Sequence, residues 1–356
     1  MKNESSTSNP TAFASIPMRS VGPLKLIGDV EDDHILVPLA TYETPLWPSV
    51  DRGARVTHHA GGIRVTVIDE RMTRSILLEA PNAHIAHQKC QQLKASQAQL
   101  QQVVSQSSHY AKLLDIHSQI VGKLVYLRLE FNTGDASGHN MVTNAADQLI
   151  PWILQQHPEL TYVSISGNYC TDKKVSAVNG ILGRGKNIVC ETTLPRKLVK
   201  RFLKTTPEAI IDLHIKKDLL GSIISGGLRT ANAHVANMLL AFYLATGQDA
   251  ANIVEGSQAI NHIELTPDGD LYFSTTLPNL IVGTVGNGKG LDFVLQNLKQ
   301  LNCTQTSARP GENARRLACI AGATALCGEL SLLAAQTNPG ELMNAHLRLE
   351  RQKHSV

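Results

Sequence analysis

The sequence predicts a mixed α and β fold in which a small α/β domain is inserted into a larger one. Its 356 residues are 42% apolar, enough to bury one large core or two smaller ones. A helix, strand, helix, strand pattern runs from about residue 76 to 164, and helices alternate with strands again after Lys174. The predicted divisions are a disordered lead-in at 1–12, the first part of the large domain at 13–75, the inserted domain at 76–164, and the rest of the large domain with a C-terminal tail at 165–356.

The first part of the chain is predicted to contain a loop followed by strands. MKNESSTSNP is polar and has no apolar run, so we expect neither a secretory signal nor a membrane anchor there. Residues 16–24 are rich in proline and glycine, which predicts a loop. The strand candidates that follow are ILVPLATYE, which runs into a turn, RVTVID and MTRSILLEA.

The inserted segment combines helical and strand patterns. Residues 81–117 are rich in Gln, Ser, Ala and Leu without a glycine, which predicts helix. Val125, Leu127, Leu129 and Phe131 then alternate with more polar residues, the period of a half-buried strand. A helix from about Asn144 and a strand at 162–165 complete the unit.

Two apolar helices are predicted in the second half. The first ends at Gly247, and its apolar residues at helical spacing are Val235, Met238, Leu239 and Phe242. The second covers residues 317–335 and could mimic a membrane span by length. Glu329 interrupts this stretch and its small residues suit tight packing, so a buried helix is predicted and no membrane contact is expected.

Charge and cysteine content exclude several classes of protein. A net charge of +3 is too small to indicate a nucleic-acid partner. The six cysteines show no CxxC spacing, so neither a zinc site nor a disulfide framework is indicated. We expect free thiols in a reducing compartment, and therefore a cytoplasmic protein without a bound metal.

The stretch SGNYCTDKK, at residues 166–174, is a candidate site for an anionic acyl substrate. The lysines, the aspartate and the serine of this stretch point in different directions from one turn. They can therefore surround a carbonyl and a carboxylate of the substrate together. Taken alone, a Lys-Lys pair in a loop is more often a solvated surface.

Further motifs make the assignment specific. In chain order they are ATYET, SGNYCTDKK, GRGKNIVCE, NAHVAN, GQDAAN, GTVGNG, PGENARRLA and GELSLLAA. This order resembles the catalytic domain of 3-hydroxy-3-methylglutaryl-CoA reductase, in a class I-like, soluble form. The resemblance implies a large α/β domain around a central helix, with an inserted small ferredoxin-like domain that binds the dinucleotide. GTVGNG indeed lacks the spacing of a Rossmann fingerprint.

The implied reaction is the four-electron reduction of (S)-3-hydroxy-3-methylglutaryl-CoA to (R)-mevalonate and CoA with two NADPH. Each hydride transfer leaves negative charge on the substrate oxygen, so a fixed cation and a proton donor are needed there. By the resemblance, Lys173 is the oxyanion cation and Glu43 the proton donor. Asp249 is the neighbouring carboxylate expected to raise the pKa of Glu43 by like-charge repulsion. His346 is expected to protonate the departing CoA thiolate.

The resemblance also implies a set of substrate-binding residues. Arg74 can grip the terminal carboxylate of the substrate with two hydrogen bonds, because an arginine in an apolar strand usually has such a partner. Lys217 could also be ordinary surface charge beside Lys216, and His234 could be a satisfied core histidine. The full set is Ser49, Arg74, Ser166, Asp172, Lys174, Lys217, His234 and Asn237.

For the dinucleotide, the resemblance points to the loop DASGHNM. Ser137 and His139 stand where hydrophobic residues are common in the family, so the sequence does not decide how the nicotinamide ring is packed. Ser108 and His109 can offer a hydroxyl and a positive charge to a 2′-phosphate, which favours NADPH without excluding NADH. The cofactor-binding set is Ser108, His109, Asp135, Gly138, Asn140, Met141 and Arg351.

Family active sites lie across a subunit interface, so a homodimer or higher even oligomer is expected. In that arrangement the SGNYCTDKK loop of one subunit should face Glu43 and Asp249 of its partner. Two alternatives remain open: a catalytically silent paralogue that binds CoA esters, and an NAD-linked enzyme working in the oxidative direction.

Overall fold

A computed structural model describes residues 12–107, 110–306, 309–344 and 347. Its larger sheet is mixed, because β1 and β3 are parallel while all its other neighbours are antiparallel. The strand order is β2-β1-β3-β7-β9-β8. These strands are β1 (Met18–Gly28), β2 (Asp32–Ala40), β3 (Ile63–Glu79), β7 (Gly185–Leu194), β8 (Ile260–Leu265) and β9 (Leu271–Leu280).

The strand β3 belongs to two sheets in succession. Its first half pairs with β7 as far as Arg71, and from Met72 onward it pairs with β5 instead. The second sheet is antiparallel with the order β4-β5-β3-β6, and its other strands are β4 (Lys112–Val121), β5 (Leu124–Asn132) and β6 (Thr161–Ser164). A single 17-residue strand therefore fixes the two halves of the molecule to each other.

Each sheet has its own hydrophobic core. The larger sheet packs with α1 (Leu46–His59), α9 (Val235–Ala245) and α12 (Glu312–Gln336) around one buried cluster. The second sheet packs with α2 (Ala83–Ala95), α3 (Gln97–Ser107) and α4 (His139–Gln156) around another. The shorter helices are α5 (Ala177–Leu182), α6 (Arg196–Leu198), α7 (Pro207–Leu213), α8 (Ser222–Ile224), α10 (Ile253–Gly256) and α11 (Asp292–Gln300). Two π-helical segments, Val199–Leu203 and His214–Gly221, and the 3₁₀ turn Ala250–Asn252 complete the described elements.

The helix α12 lies at the centre of the larger core. It is apolar on all sides and almost entirely buried, as expected for a helix surrounded by protein. By length and composition it is the one described helix that could cross a membrane, but its apolar surface is already covered. Small residues allow this packing, since α1 approaches α12 at Gly53, where a Cβ atom would lie 2.1 Å from the carbonyl oxygen of Cys327.

Several sequence predictions are confirmed. The mixed α and β class is correct, and the strand at 125–131 and the apolar helices before Gly247 and at 317–335 are present. The strand candidates RVTVID and MTRSILLEA form one continuous strand, and the helix expected from Asn144 begins at His139. All six cysteines are buried free thiols.

Two local predictions were wrong. Residues 16–24 are not a loop, because most of them belong to β1. The Gly22-Pro23 pair of β1 falls at a register shift between Val21 and Leu24, where a strand tolerates both residue types. The helical prediction for 81–117 fails at its end, where β4 starts at Lys112 and forms a hairpin with β5. The cross-strand partners in β5 decide that conformation rather than local composition.

The contact between α1 and α12 gives a test of the packing. In an open helix, Gly53→Ala would add about 1 kcal/mol of stability by helix propensity. Here the added methyl group meets the backbone of α12, so we expect a net loss of about 2 kcal/mol from overpacking. Urea unfolding measures it, and Gly290→Ala, where a Cβ would meet nothing within 4 Å, is the control. Equal stability of the two variants would contradict the close packing.

Candidate active site

The loop at 166–174 is held in an uncommon backbone conformation. Asn168, Thr171 and Lys173 all have positive φ angles, which non-glycine residues rarely adopt unless the surroundings impose them. Two buried arginines supply part of that constraint. Arg128 donates to the carbonyl oxygen of Tyr169 at 2.8 Å, and Arg184 donates to the carboxylate of Asp172 at 2.6 Å. The loop therefore presents its lysines from a fixed base.

Lys173 and Asp249 form an ion pair at the surface of this loop. Lys173 Nζ lies 2.7 Å from Asp249 Oδ2, and both side chains are nearly half exposed. The hydrogen bond that Lys173 donates to Asp249 raises the pKa of Lys173 above its usual range, so the ammonium form is favoured. Burial alone would raise the pKa of Asp249, but the hydrogen bond from Lys173 outweighs it and lowers that pKa. Two predicted catalytic residues are thus brought together.

This pair corrects one expectation about the subunit arrangement. We expected the loop of one subunit to face Asp249 of a partner subunit. Lys173 instead pairs with Asp249 of its own chain. The reason is that α10 and the turn before it pack beside the loop in the same chain, where Glu255 of α10 accepts the Lys173 backbone N–H at 3.1 Å.

Arg184 and Glu255 form the buried base of the site, and the sequence interpretation gave neither of them a role. Arg184, 1% exposed, donates to Thr73 on β3 at 2.7 Å and lies 3.5 Å from Glu255 Oε1. Burial raises the pKa of Glu255 against the opposing charge of Arg184. Arg184 belongs to the quoted motif GRGKNIVCE, which was a usable signal, whereas nothing in the sequence distinguished Glu255.

Asp249 lies on a turn that is braced from behind. Its side chain caps the 3₁₀ turn through the Ala251 N–H at 3.1 Å. Upstream, Gly247 and Gly288 approach so closely that a Cβ on Gly247 would lie 2.4 Å from the Gly288 carbonyl oxygen. Lys289 then donates to the carbonyl of Gly247. The motifs GQDAAN and GTVGNG are therefore joined by a backbone contact that only glycine permits.

Glu43 lies beside a separate cavity. Asn237, on the first turn of α9, donates to Glu43 Oε2 at 2.8 Å. The expected neighbouring carboxylate, Asp249, pairs with Lys173, so the two carboxylates are held by different partners. Glu43 lines a cavity of about 210 Å³ whose other walls include Leu46, Ser49, Arg52, His234 and Leu332.

The remaining predicted substrate residues occupy varied surroundings. Ser49 Oγ donates to Ser331 Oγ at 3.1 Å, and Arg74 Nε donates to the Ile165 carbonyl at 3.2 Å. Lys174 Nζ bonds to the Asp172 carbonyl at 2.9 Å, and Ser166 N–H bonds to Ser164 Oγ at 3.0 Å. Lys217 lies on the π-helical segment His214–Gly221, with its Nζ 3.3 Å from Asp218.

The loop DASGHNM leads into the N-terminus of α4. Gly138 has φ +96°, and a Cβ there would lie 2.7 Å from the Thr133 side chain. Both carboxylate oxygens of Asp135 accept N–H groups at the start of α12, from Gly311 at 3.1 Å and Ala314 at 2.9 Å. Asn140 and Met141 lie in the first turn of α4. Ser108, His109, His346 and Arg351 lie outside the described residues.

The start of α4 fits a bound dinucleotide phosphate. No side chain caps this 18-residue helix, so its first N–H groups can meet an anion. His139 Nε2 is buried without a hydrogen-bond partner and lies 3.6 Å from Asp172 Oδ1, too far for a hydrogen bond. Burial, followed by the charge of Arg184, lowers the pKa of His139. His139 thus lies between the dinucleotide loop and the Lys173 loop.

Fold and site together define an α+β enzyme with a lysine–carboxylate pair next to a helix N-terminus that suits a phosphate. The model of the family described as hydroxymethylglutaryl-coenzyme A reductase matches residues 4–351. The chain is 43% identical over 344 residues to the 3-hydroxy-3-methylglutaryl-coenzyme A reductase of Pyrococcus abyssi, covering 96% of this chain and 84% of that protein. It therefore belongs to the hydroxymethylglutaryl-coenzyme A reductase family.

Two further comparisons agree. The Pyrococcus horikoshii reductase is 43% identical over 344 residues, covering 96% of this chain and 83% of that protein. A class II 3-hydroxy-3-methylglutaryl-CoA reductase from Streptococcus pneumoniae, solved with NADPH, superimposes with a TM-score of 0.75 at 19% identity, covering 96% of this chain and 80% of that one. At that identity the superposition shows the fold alone, so the class I-like form stays a prediction.

Lys289, which donates to Gly247 near Asp249, predicts that the stability of the protein depends on pH. Burial lowers the pKa of Lys289 to about 8 from an unfolded value near 10.4. Protonated Lys289 therefore lowers the free energy of unfolding by its full amount below about pH 8. This loss disappears as the pH rises towards about 10. Relative to Lys289→Met, wild type should gain up to about 3 kcal/mol of unfolding free energy across that window. Urea titrations between about pH 7 and 10 measure it.

Lys299→Met, at an exposed position on α11, is the matched control and should track wild type at every pH. A wild-type curve parallel to that of Lys289→Met would show that Lys289 titrates as in the unfolded chain.

Proposed function

We propose that this chain reduces (S)-3-hydroxy-3-methylglutaryl-CoA to (R)-mevalonate and CoA, a step of isoprenoid biosynthesis, with two NADPH. The carrying observation is the Lys173–Asp249 ion pair at 2.7 Å on a loop with a buried arginine base. Such a pair supplies a fixed cation where charge develops on a substrate oxygen. Family membership supports the same substrate and product.

NADPH, when bound, supplies the hydride for each of the two reductions. Lys173 stabilises the oxyanion, and Asp249 keeps its ammonium group protonated and directed. Glu43 delivers the proton that quenches the alkoxide, and Asn237 orients it through the bond at 2.8 Å. His346, at the C-terminus, protonates the departing thiolate.

The substrate is held at both ends. Arg74, Lys174 and Lys217, with Ser166, supply the cations and donors for the terminal carboxylate. The cavity between Glu43 and His234 has a mixed lining of apolar and polar side chains and holds about 210 Å³, which suits the thiol end of the CoA arm rather than a nucleotide.

The dinucleotide-binding unit is proposed to be a ferredoxin-like insert near residues 76–164. What supports this is the element order strand, helices, strand, strand, helix, strand, with the sheet order β4-β5-β3-β6 and the helices on one core. The uncapped start of α4 receives a phosphate through Gly138 and the N–H groups that follow it. NADPH is preferred here because Ser108 and His109 favour a 2′-phosphate and the pneumococcal reductase was solved with NADPH.

A homodimer is proposed because large apolar side chains are exposed on the segments that follow two predicted substrate-binding lysines, Lys174 and Lys217. Ile223 and Ile224 are 72% and 88% exposed, and Val175 and Ile181 flank the Lys173 loop with 55% and 67% exposure. A second copy of the chain would cover this surface, and an apolar patch of this kind marks an interface. The buried free thiols support the proposal that the protein functions in the cytoplasm.

Lys173→Ala should lower turnover of the CoA ester by at least about 100-fold, because the developing oxyanion loses its cation. The assay is absorbance loss of NADPH, and separately of NADH, with 3-hydroxy-3-methylglutaryl-CoA. Lys200→Ala, an exposed lysine away from the loop, is the control. Near wild-type rates in Lys173→Ala would refute the role, and wild-type binding of the ester without oxidation of either cofactor would favour a silent paralogue.

Ile223→Glu with Ile224→Glu should dissociate the dimer and reduce activity, because each buried carboxylate would lack a partner. Sedimentation velocity measures the change. Val121→Glu places the same charge at a residue 63% exposed on β4 and should leave the assembly intact. A monomeric wild type, or dissociation by the control alone, would contradict the proposed interface.

A further inference from the structure

Glu329 is a fully buried carboxylate in the middle of the apolar helix α12. Among the described residues it pairs with no lysine or arginine, and its one ion-pair partner is His234. A buried charge costs several kcal/mol unless hydrogen bonds replace its water. Its surroundings must therefore satisfy it.

Three fixed N–H donors and one ring nitrogen surround this carboxylate. Oε1 accepts the backbone N–H of His234 at 2.7 Å and lies 2.9 Å from His234 Nδ1. Oε2 accepts the Ala233 N–H at 2.6 Å and the Asn261 side-chain N–H at 2.7 Å. The three fixed N–H donors favour the form of the carboxyl group that has no proton of its own, so it acts as an acceptor.

This arrangement determines the state of the His234 ring. Because Glu329 can only accept, Nδ1 must carry a proton. Nε2 is then the nitrogen left for a ligand, and His234 lines the cavity that also contains Glu43 and Ser49.

We propose that Glu329 is a positioning residue, which holds His234 with Nδ1 protonated and leaves Nε2 as an acceptor for the thiol end of the CoA arm. The assignment of the substrate rests on the proposed function, whereas the state of the ring rests on the contacts alone. A carboxylate that orients an imidazole in this way fixes both its tautomer and its direction.

Asn261 extends this anchor towards Lys217. Its amide N–H group donates to Glu329 at 2.7 Å and to Asp218 Oδ2 at 3.3 Å, while its oxygen accepts from Thr275 at 2.8 Å. Asp218 in turn lies 3.3 Å from Lys217 Nζ. One buried network thus supports His234, at the thioester end, and Lys217, which we assign to the substrate carboxylate.

The ring nitrogens of His234 can be observed directly. In protein labelled with ¹⁵N-histidine, with His234→Gln for assignment, wild type should show Nδ1 protonated. Glu329→Gln places an NH₂ group against the N–H donors that now surround the carboxylate. The preference for a proton on Nδ1 of His234 should therefore be lost. Glu264→Gln alters the exposed pair with His262 and should leave the His234 signals unchanged. A wild-type ring protonated on Nε2 alone overturns the proposal, and this result does not depend on whether the variant folds. A preference for protonation on Nδ1 that survives Glu329→Gln also overturns it.

Kinetics separate positioning from general damage. Glu329→Gln should lower kcat for the CoA thioester by about 10- to 100-fold, with little change for free mevaldehyde, which has no CoA arm to contact His234, and no change in KM for NADPH. Equal losses on both substrates overturn the positioning role. If wild type reduces neither substrate, the proposed function fails while the ring spectrum still decides the state of His234.

Discussion

The interaction on which the site depends is the buried contact of Arg184 with three separate segments. Its guanidinium donates to Thr73 on β3 and to Asp172 in the SGNYCTDKK loop, and it lies beside Glu255 on α10. Removing one partner of such a buried charge costs about 3–5 kcal/mol, because the others are left uncompensated. The conformation of the Lys173 loop therefore depends on a cation that never reaches the surface.

The same design occurs on the other side of the site. Partly exposed groups that can meet substrate rest on buried charged side chains: Lys173 on Glu255, which also contacts Arg184, and His234 on Glu329. A buried base that is held by several contacts has little freedom to reorient, so the exposed group keeps its position without rearrangement during the reaction. The cost of burying the two carboxylates is reduced by the backbone N–H groups that they accept, which are present in any case.

The strand β3 explains how two cores share one site. Its first half lies in the larger sheet and its second half in the smaller one. Thr73 and Arg74 follow the point where β3 changes partners, so residues that contact Arg184 and the substrate loop stand at the junction of the two cores. His139 at the start of α4 reaches towards Asp172 across the same junction.

By itself the sequence determined the fold class, the two apolar helices, the family and the loop that carries Lys173, because periodicity and contiguous motifs are local properties. It did not reveal that β1 absorbs Gly22 and Pro23 at a register shift, since cross-strand partners decide that. The cavity beside Glu43, the pairing of Lys173 with Asp249 in the same chain, and the roles of Arg184, Glu255, Asn261 and Glu329 were decided by tertiary structure alone. Each depends on contacts between residues far apart in the chain, and whether a buried charge is satisfied can be judged only when all of its donors are in place.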